Sequence, residues 1–226
     1  MIAWPARAAA AADTVALPIG TLLMSRWGAA GVGRPQPLAA VRTAGSDESL
    51  VARASGGDRQ AFDDLYRRYV DLVWTRLGRL IGPDAEREDL LQHVFIEVFR
   101  SLPRFRGDAS FRTFLYRIVL NVAADHLKRR RRRGNAPIAP EELDKLVDGH
   151  ASPEARAAER QRLAVTFALL DRIKTKKRIA FLLRVVDGLS LEEIGELTGA
   201  TAAAVAQRVR HANRELQALA ARKDRR

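Results

Sequence analysis

Apolar residues recur along this chain at three- and four-residue intervals, the period of a helix with one buried face. Phe62, Leu65, Tyr66, Tyr69, Val73, Trp74 and Leu77 share such a face on a helix that Asp58 can cap; it runs to about Leu80, and Gly82-Pro83 breaks it. Leu90, Leu91, Val94, Phe95, Val98, Phe99 and Leu102 form the seam of a second helix, with Asp84 as its expected cap and Pro103 as its stop. Ser110 can cap a third, turning Phe111, Phe114, Leu115, Ile118, Val119, Val122 and Leu127 inward before the chain enters Lys128 and five consecutive arginines, Arg129 to Arg133. Ser152-Pro153-Glu154 opens a fourth, by hydroxyl cap and first-turn proline, with Leu163, Phe167 and Leu170 as its buried stripe.

The carboxyl-terminal stretch is punctuated more finely. A short helix from about Lys176 to Val186 stops at Asp187-Gly188, and Ser190-Leu191-Glu192-Glu193 is a capping box that opens a two-turn helix. Thr198-Gly199 then turns the chain, and Thr201 caps a last helix holding Val205, Val209, Leu216 and Leu219. A short capped helix, a tight glycine turn and a longer helix make a helix-turn-helix, with Ile194, Leu197, Val205 and Val209 as its small core. Such a motif lays the first half of its second helix in a DNA major groove. There Gln207, Arg208, Arg210, His211 and Arg214 offer donors to base edges and phosphates. No run of alternating β-branched residues competes with these helices. The expected fold is all-α: two small helical domains, 47–133 and 161–226, joined by a flexible linker at 134–160 and preceded by a disordered extension at 1–46.

Charge draws the same division. The chain of 226 residues carries 39 Lys+Arg against 27 Asp+Glu, a net +12. Segments 51–133 and 161–226 each hold +7, while the Pro- and Gly-containing stretch 134–160 between them holds −3. Two basic blocks on an acidic linker expect a polyanionic partner, nucleic acid first. Without cysteine the chain has no thiolate metal site or Cys nucleophile, and its four histidines are far apart. The cluster Asp84, Glu86, Glu88 and Asp89 suits the positive end of a helix dipole and lacks the further ligands of a hard-metal shell. No cofactor, metal or enzymatic activity is expected. Between Phe105 and Arg133 aromatics alternate with arginines, the pairing that single-strand binding uses, although aromatics at helical spacing also build cores. The apolar run from Thr14 to Met24 is too short to span a bilayer, and no membrane insertion is expected.

Three stretches together carry a resemblance: GDRQAFDDLYRRYVDLVW, then DAEREDLLQHVFIEVFRSLPRFRGDASFRTFLYRIVLNVAADHLKRR, then RIAFLLRVVDGLSLEEIGELTG with the helix after it. In this order and at these separations the chain resembles a bacterial RNA polymerase sigma factor, of the extracytoplasmic-function (ECF) branch of the sigma-70 family. The resemblance implies a cytoplasmic factor that binds core RNA polymerase, directs it to promoter DNA and helps melt the −10 element. It implies that residues 47–133 are sigma domain two, whose second helix grips the polymerase through Asp89, Gln92 and Glu97. The loop before the third helix, Phe105, Arg106, Gly107, Asp108, Ala109 and Ser110, would capture a flipped −10 base, with Asn121 and Asp125 facing the same DNA. Residues 161–226 would be domain four, reading the −35 element with Ala206, Gln207, Arg210 and His211 at base-facing positions and Thr201, Arg208 and Arg214 beside them. Small factors of this branch are usually held inactive by an anti-sigma protein. The alternative, a stand-alone helix-turn-helix transcriptional regulator, accounts for residues 160–226 but not for the aromatic-basic segment or the acidic second helix.

Overall fold

The computed structural model describes residues 46–134, 140–144 and 152–223. Among them the regular elements are all helical: α1 Asp47–Ser55, α2 Arg59–Ile81, α3 Arg87–Ser101, α4 Phe111–Arg132, α5 Pro140–Asp144, α6 Pro153–Arg172, α7 Thr175–Val185, α8 Leu191–Thr198 and α9 Ala202–Lys223. A 3-10 turn, Leu102–Arg104, joins α3 to the loop before α4. The expected extension at 1–46 lies outside the described residues save Ser46, as do 135–139 and 145–151 of the expected linker.

Most helix starts follow from side-chain oxygens that accept one of the four free amide N–H groups of the first turn. Asp58 accepts from Ala61 (3.2 Å), Ser110 from Thr113 (3.1 Å), Ser152 from Ala155 (3.2 Å) and Thr201 from Ala204 (3.2 Å). At α8 the capping box is complete, with Glu193 N donating to Ser190 Oγ and Ser190 N to Glu193 Oε2. The start of α3 departs from expectation. Glu86, not Asp84, holds the cap position, and no side chain caps it. Asp84 accepts from Glu86 N through Oδ1 and turns Oδ2 to His126 Nε2 (2.7 Å) and Arg130 Nη1 (2.9 Å) of α4. Asp84 is thus shared between its own turn and α4, where the Arg130 guanidinium supplies a charged partner.

Helices α1 to α4 close around one apolar cluster: Leu65, Tyr69, Val73 and Leu77 of α2, Leu90, Val94, Phe95 and Val98 of α3, Phe111, Leu115, Val119 and Ala123 of α4. Three aromatics expected inside are partly out. Tyr66 and Trp74 are 39% exposed each and Phe99 57%. Phe99 lies nine residues after Leu90, about two and a half turns at 3.6 residues per turn, and so faces the other way. Tyr66 leans on Phe95 (centroids 4.6 Å apart), and the Arg87 guanidinium covers one face of Trp74 at 3.8 Å.

The second cluster joins α6, α7 and α9 through Leu163, Phe167, Leu170, Phe181, Leu182, Ala212 and Leu216, and α5 adds Leu143. The helix-turn-helix does not close on a core of its own. Ile194 and Val205 are fully buried, with Leu197 and Val209 partly buried beside them, in the same cluster as α1 to α4, together with Ile179, Ala180, Leu183 and Leu189. Helices α7 and α8 therefore pack on α4. The approach is close at Gly82, whose φ of +82° favours glycine and where a Cβ would stand 2.6 Å from the Phe167 ring of α6.

Candidate nucleic-acid interface

The turn between α8 and α9 is tight because two glycines allow it. Gly199 takes the left-handed conformation (φ 63°, ψ 37°), and a Cβ on Gly195 would stand 2.5 Å from the Ala200 carbonyl oxygen. The turn sets α9 with Gln207, Arg210 and Arg214 exposed on one stripe, at i, i+3 and i+7. Arg208, His211 and Ala206 flank the stripe and are half-buried. Thr201 is exposed, but its hydroxyl is already engaged as the cap.

A second candidate surface lies at the start of α4. Arg106, Gly107 and Asp108 are exposed in the loop, and Ala109 is half-buried. Phe105 anchors that loop, its ring 4.8 Å from Phe114 and 6.3 Å from Phe111. Ser110 spends its hydroxyl on the cap and on Thr113 Oγ1 at 2.9 Å. Asn121 and Asp125, one turn apart, are exposed farther along α4, and Asp125 pairs with Lys128 (2.8 Å). Of the arginine run, Arg130 turns inward, Arg133 lies 3.5 Å from Glu86, and Arg129, Arg131 and Arg132 stay exposed.

The third surface is the outer side of α3. Asp89 and Gln92 are exposed and Glu97 is half-buried, pairing with Arg100 at 3.1 Å. Ile96, 47% exposed, and Phe99 share this side, an apolar addition that the sequence reading missed. Its signal was available: Ile96 falls outside the seam of Leu90, Leu91, Val94, Phe95 and Val98.

Between the halves lies a set of buried charges that sequence reasoning did not find. The Asp187 carboxylate, 3% exposed, accepts from Arg76 Nη1 (2.5 Å) and Arg79 Nη1 (2.8 Å) of α2 and from Tyr116 OH (2.5 Å) of α4. Burial, then the Asp187 charge, pushes the Tyr116 phenol well above its usual range, which keeps it a donor. Arg130 of α4 and Arg178 of α7 both pair with Asp171 of α6. Arg178 also donates to the Leu80 (3.1 Å) and Ile81 (2.9 Å) carbonyls, closing the last turn of α2 from the other half of the chain. Burial pulls Arg178 down to about 10 against the Asp171 charge, so it remains a cation at neutral pH. At Asp84 burial raises the carboxyl, but the His126 hydrogen bond and charge, the Glu86 amide and Arg130 outweigh it and hold it below its usual value.

Comparison with known proteins bears directly on these faces. The family model for sigma-70 region 2 matches residues 65–133, and that for sigma-70 region 4 matches 159–216. The chain is 32% identical over 169 residues to the RNA polymerase sigma-H factor of Pseudomonas aeruginosa, covering 72% of this chain and 88% of that one. It is 32% identical over 170 residues to the ECF RNA polymerase sigma-E factor of Escherichia coli, covering 73% and 88%. The chain is an ECF sigma factor of the sigma-70 family. A solved structure of CnrH in complex with the cytosolic domain of CnrY is similar to it, with a TM-score of 0.53 and 26% identity over 76% of this chain and 96% of that one.

As an ECF sigma factor the chain directs RNA polymerase to promoters and is not an enzyme. Region 2 of the factor takes in most of α2 and the whole of α3 and α4; region 4 takes in most of α6, then α7, α8 and the larger part of α9. A stand-alone regulator would leave the region 2 match without a role. No helix among the described residues is long and apolar enough to cross a membrane.

Proposed function

We propose that the three exposed faces divide the work of initiation. The outer side of α3, with Asp89, Gln92 and Glu97, docks core polymerase. The loop Phe105 to Ser110, with Asn121 and Asp125 of α4, engages the −10 element. The α9 stripe reads the −35 duplex: Gln207 and Arg210 on base edges, with Arg208, His211, Arg214 and Thr201 at its margins. The observation that carries this reading is that the three sets stand apart, on α3, on α4 with the loop before it, and on α9, each with exposed polar groups and none spent on the seam between the halves. Ile96 and Phe99 extend the α3 face, since desolvated apolar groups beside charges give a protein interface its affinity while the charges select the partner. The functional units are 47–133 and 161–226. They work in the cytoplasm, where promoter and polymerase are. Likeness to CnrH, solved with the cytosolic domain of CnrY, supports an anti-sigma protein as a further partner.

The test is core binding by Asp89→Arg. The reversed charge opposes the surface that the acidic face fits, so affinity for core polymerase falls sharply while far-UV circular dichroism is unchanged. Unchanged affinity would remove α3 from the interface.

A further inference from the structure

Arg87 stands where a cation is unexpected. It opens α3, the end at which a helix dipole favours negative charge, and the acids Glu86, Glu88 and Asp89 flank it along the chain. None of the three faces just assigned uses it. Its side chain turns away from α3 and crosses to α2. There Nε (3.2 Å) and Nη2 (2.6 Å) both donate to the Trp74 carbonyl, and the guanidinium lies 3.8 Å from the centre of the Trp74 ring. Helix α2 makes room for it. Gly78, one turn after Trp74, is the single glycine of α2, and a Cβ there would stand 2.6 Å from the guanidinium carbon. Glycine inside a helix weakens it relative to alanine, and the seat for Arg87 accounts for one at this position. Burial pulls Arg87 down to about 10 against the Glu142 charge, so it remains a cation at neutral pH.

The first turn of α3 needs such a tie. Glu86 holds the cap position without a side-chain hydrogen bond, and uncapped helix ends fray. The first inward residue of α3 is Leu90. Ahead of it Glu88 and Asp89 are exposed, and Arg87 fastens their turn to α2.

We propose that Arg87 is a positioning residue for polymerase docking: seated on Trp74 in the notch left by Gly78, it holds the first turn of α3 at the angle at which Asp89 meets core polymerase. The proposal rests on the assignment of the α3 face to core polymerase. A purely electrostatic role has the opposite sign. Without the Arg87 cation the face is more acidic, and a face that selects its partner by negative charge then binds more tightly, whereas loss of positioning weakens binding.

Three variants of the full-length factor, titrated against core polymerase, test this. Arg87→Gln removes the charge and the fork, Arg87→Lys keeps the charge and loses the planar fork, and Gly78→Ala leaves Arg87 intact and fills its seat. Each should weaken binding by about fivefold with far-UV circular dichroism unchanged. Gly78→Ala raises the helix propensity of α2, so its loss of affinity does not come from an unfolded α2. A cycle with Asp89→Ala separates positioning from general loosening. Asp89→Ala should cost about fivefold in the parent and much less beside Arg87→Gln, because Asp89 is no longer held in place. General loosening leaves the two costs multiplicative. Multiplicative costs would overturn the proposal, and so would parental affinity in Arg87→Lys. If Asp89→Ala alone changes nothing, the docking face is misassigned and the proposal falls with it. If Asp89→Ala weakens binding while Arg87→Gln matches or exceeds the parent, the face stands and the positioning role is refuted.

Discussion

Helices α4 and α9 are each 22 residues long, each starts on a hydroxyl cap, and each is assigned to DNA, yet they are built in opposite ways. Helix α4 is a core element that shows a narrow strip. Phe111, Leu115, Tyr116, Val119, Leu120, Val122, Ala123, His126 and Leu127 are all buried, and Asn121 and Asp125 stand exposed between Arg117 and the basic last turns. Helix α9 is a surface element that rests on a few points. Val205, Ala212 and Leu216 are buried, and Gln207, Arg210 and Arg214 stand clear. A helix fixed on several sides holds its strip rigidly, as capture of an unpaired base in one geometry requires. A helix fixed on one side offers a wide face to a groove. Changes in α4 therefore disturb stability and recognition together, while changes on α9 separate them.

The largest test of this contrast is Phe111→Ala. Its ring is 5% exposed and meets Tyr69 at 5.2 Å and Phe114 at 6.0 Å. Removal should cost about 3–5 kcal/mol in urea denaturation and weaken −10 recognition with it. A loss below about 1 kcal/mol would show that α4 is not the rigid member. Arg210→Ala should instead leave the denaturation midpoint unchanged and cost about 1–3 kcal/mol in promoter binding, with relaxed preference at one or two −35 positions. A promoter library varied at every −10 and −35 base reads this out; a shift confined to the −10 profile would reverse the assignment of the two helices.

The caps give a finer comparison. Ser110→Ala and Thr201→Ala should each cost ~1 kcal/mol of stability. The Ser110 change should also perturb promoter opening, because its loop carries Arg106 and Asp108, whereas Thr201→Ala should alter −35 affinity through the angle of α9. Permanganate footprinting separates the two. The smallest effect is confined to acid. Asp84 ties the far end of α4 through His126 and Arg130, and its carboxyl is held below the ordinary 3.8. Its contribution is complete above 3.8 and is lost as pH falls through the lowered value. Asp84→Asn should therefore show a shallower decline of stability below pH 3.8 than the parent chain.

The helices and their starts were legible in the sequence because periodicity and capping are local: Asp58, Ser110, Ser152, Ser190 and Thr201 act where their spacing puts them. The polar faces of α3 and α9 were legible for the same reason. Asp84 was misread because its position relative to α3 allows a cap, while the groups that claim it stand more than 40 residues away. The seam was invisible for a similar reason. Asp187 read only as the residue at which a helix stops, nothing singled out Arg79, and 108 residues separate them. A weak signal existed. Arg76 lies on the inward stripe of Tyr69, Val73 and Leu80, and Arg178 begins an unbroken buried run through Leu183. An arginine on a buried face has to meet an acceptor, but the pattern does not say which one.

The chemistry of the seam also bears on which register the two halves adopt. A joint made only of leucine and phenylalanine could slide by a turn at little cost, because apolar contact is non-directional. Here Asp187 accepts from Arg76, Arg79 and Tyr116 at once, and Arg130 of α4 meets Asp171 of α6, so a shifted register would leave buried charges without partners. The charges act less as glue than as a key.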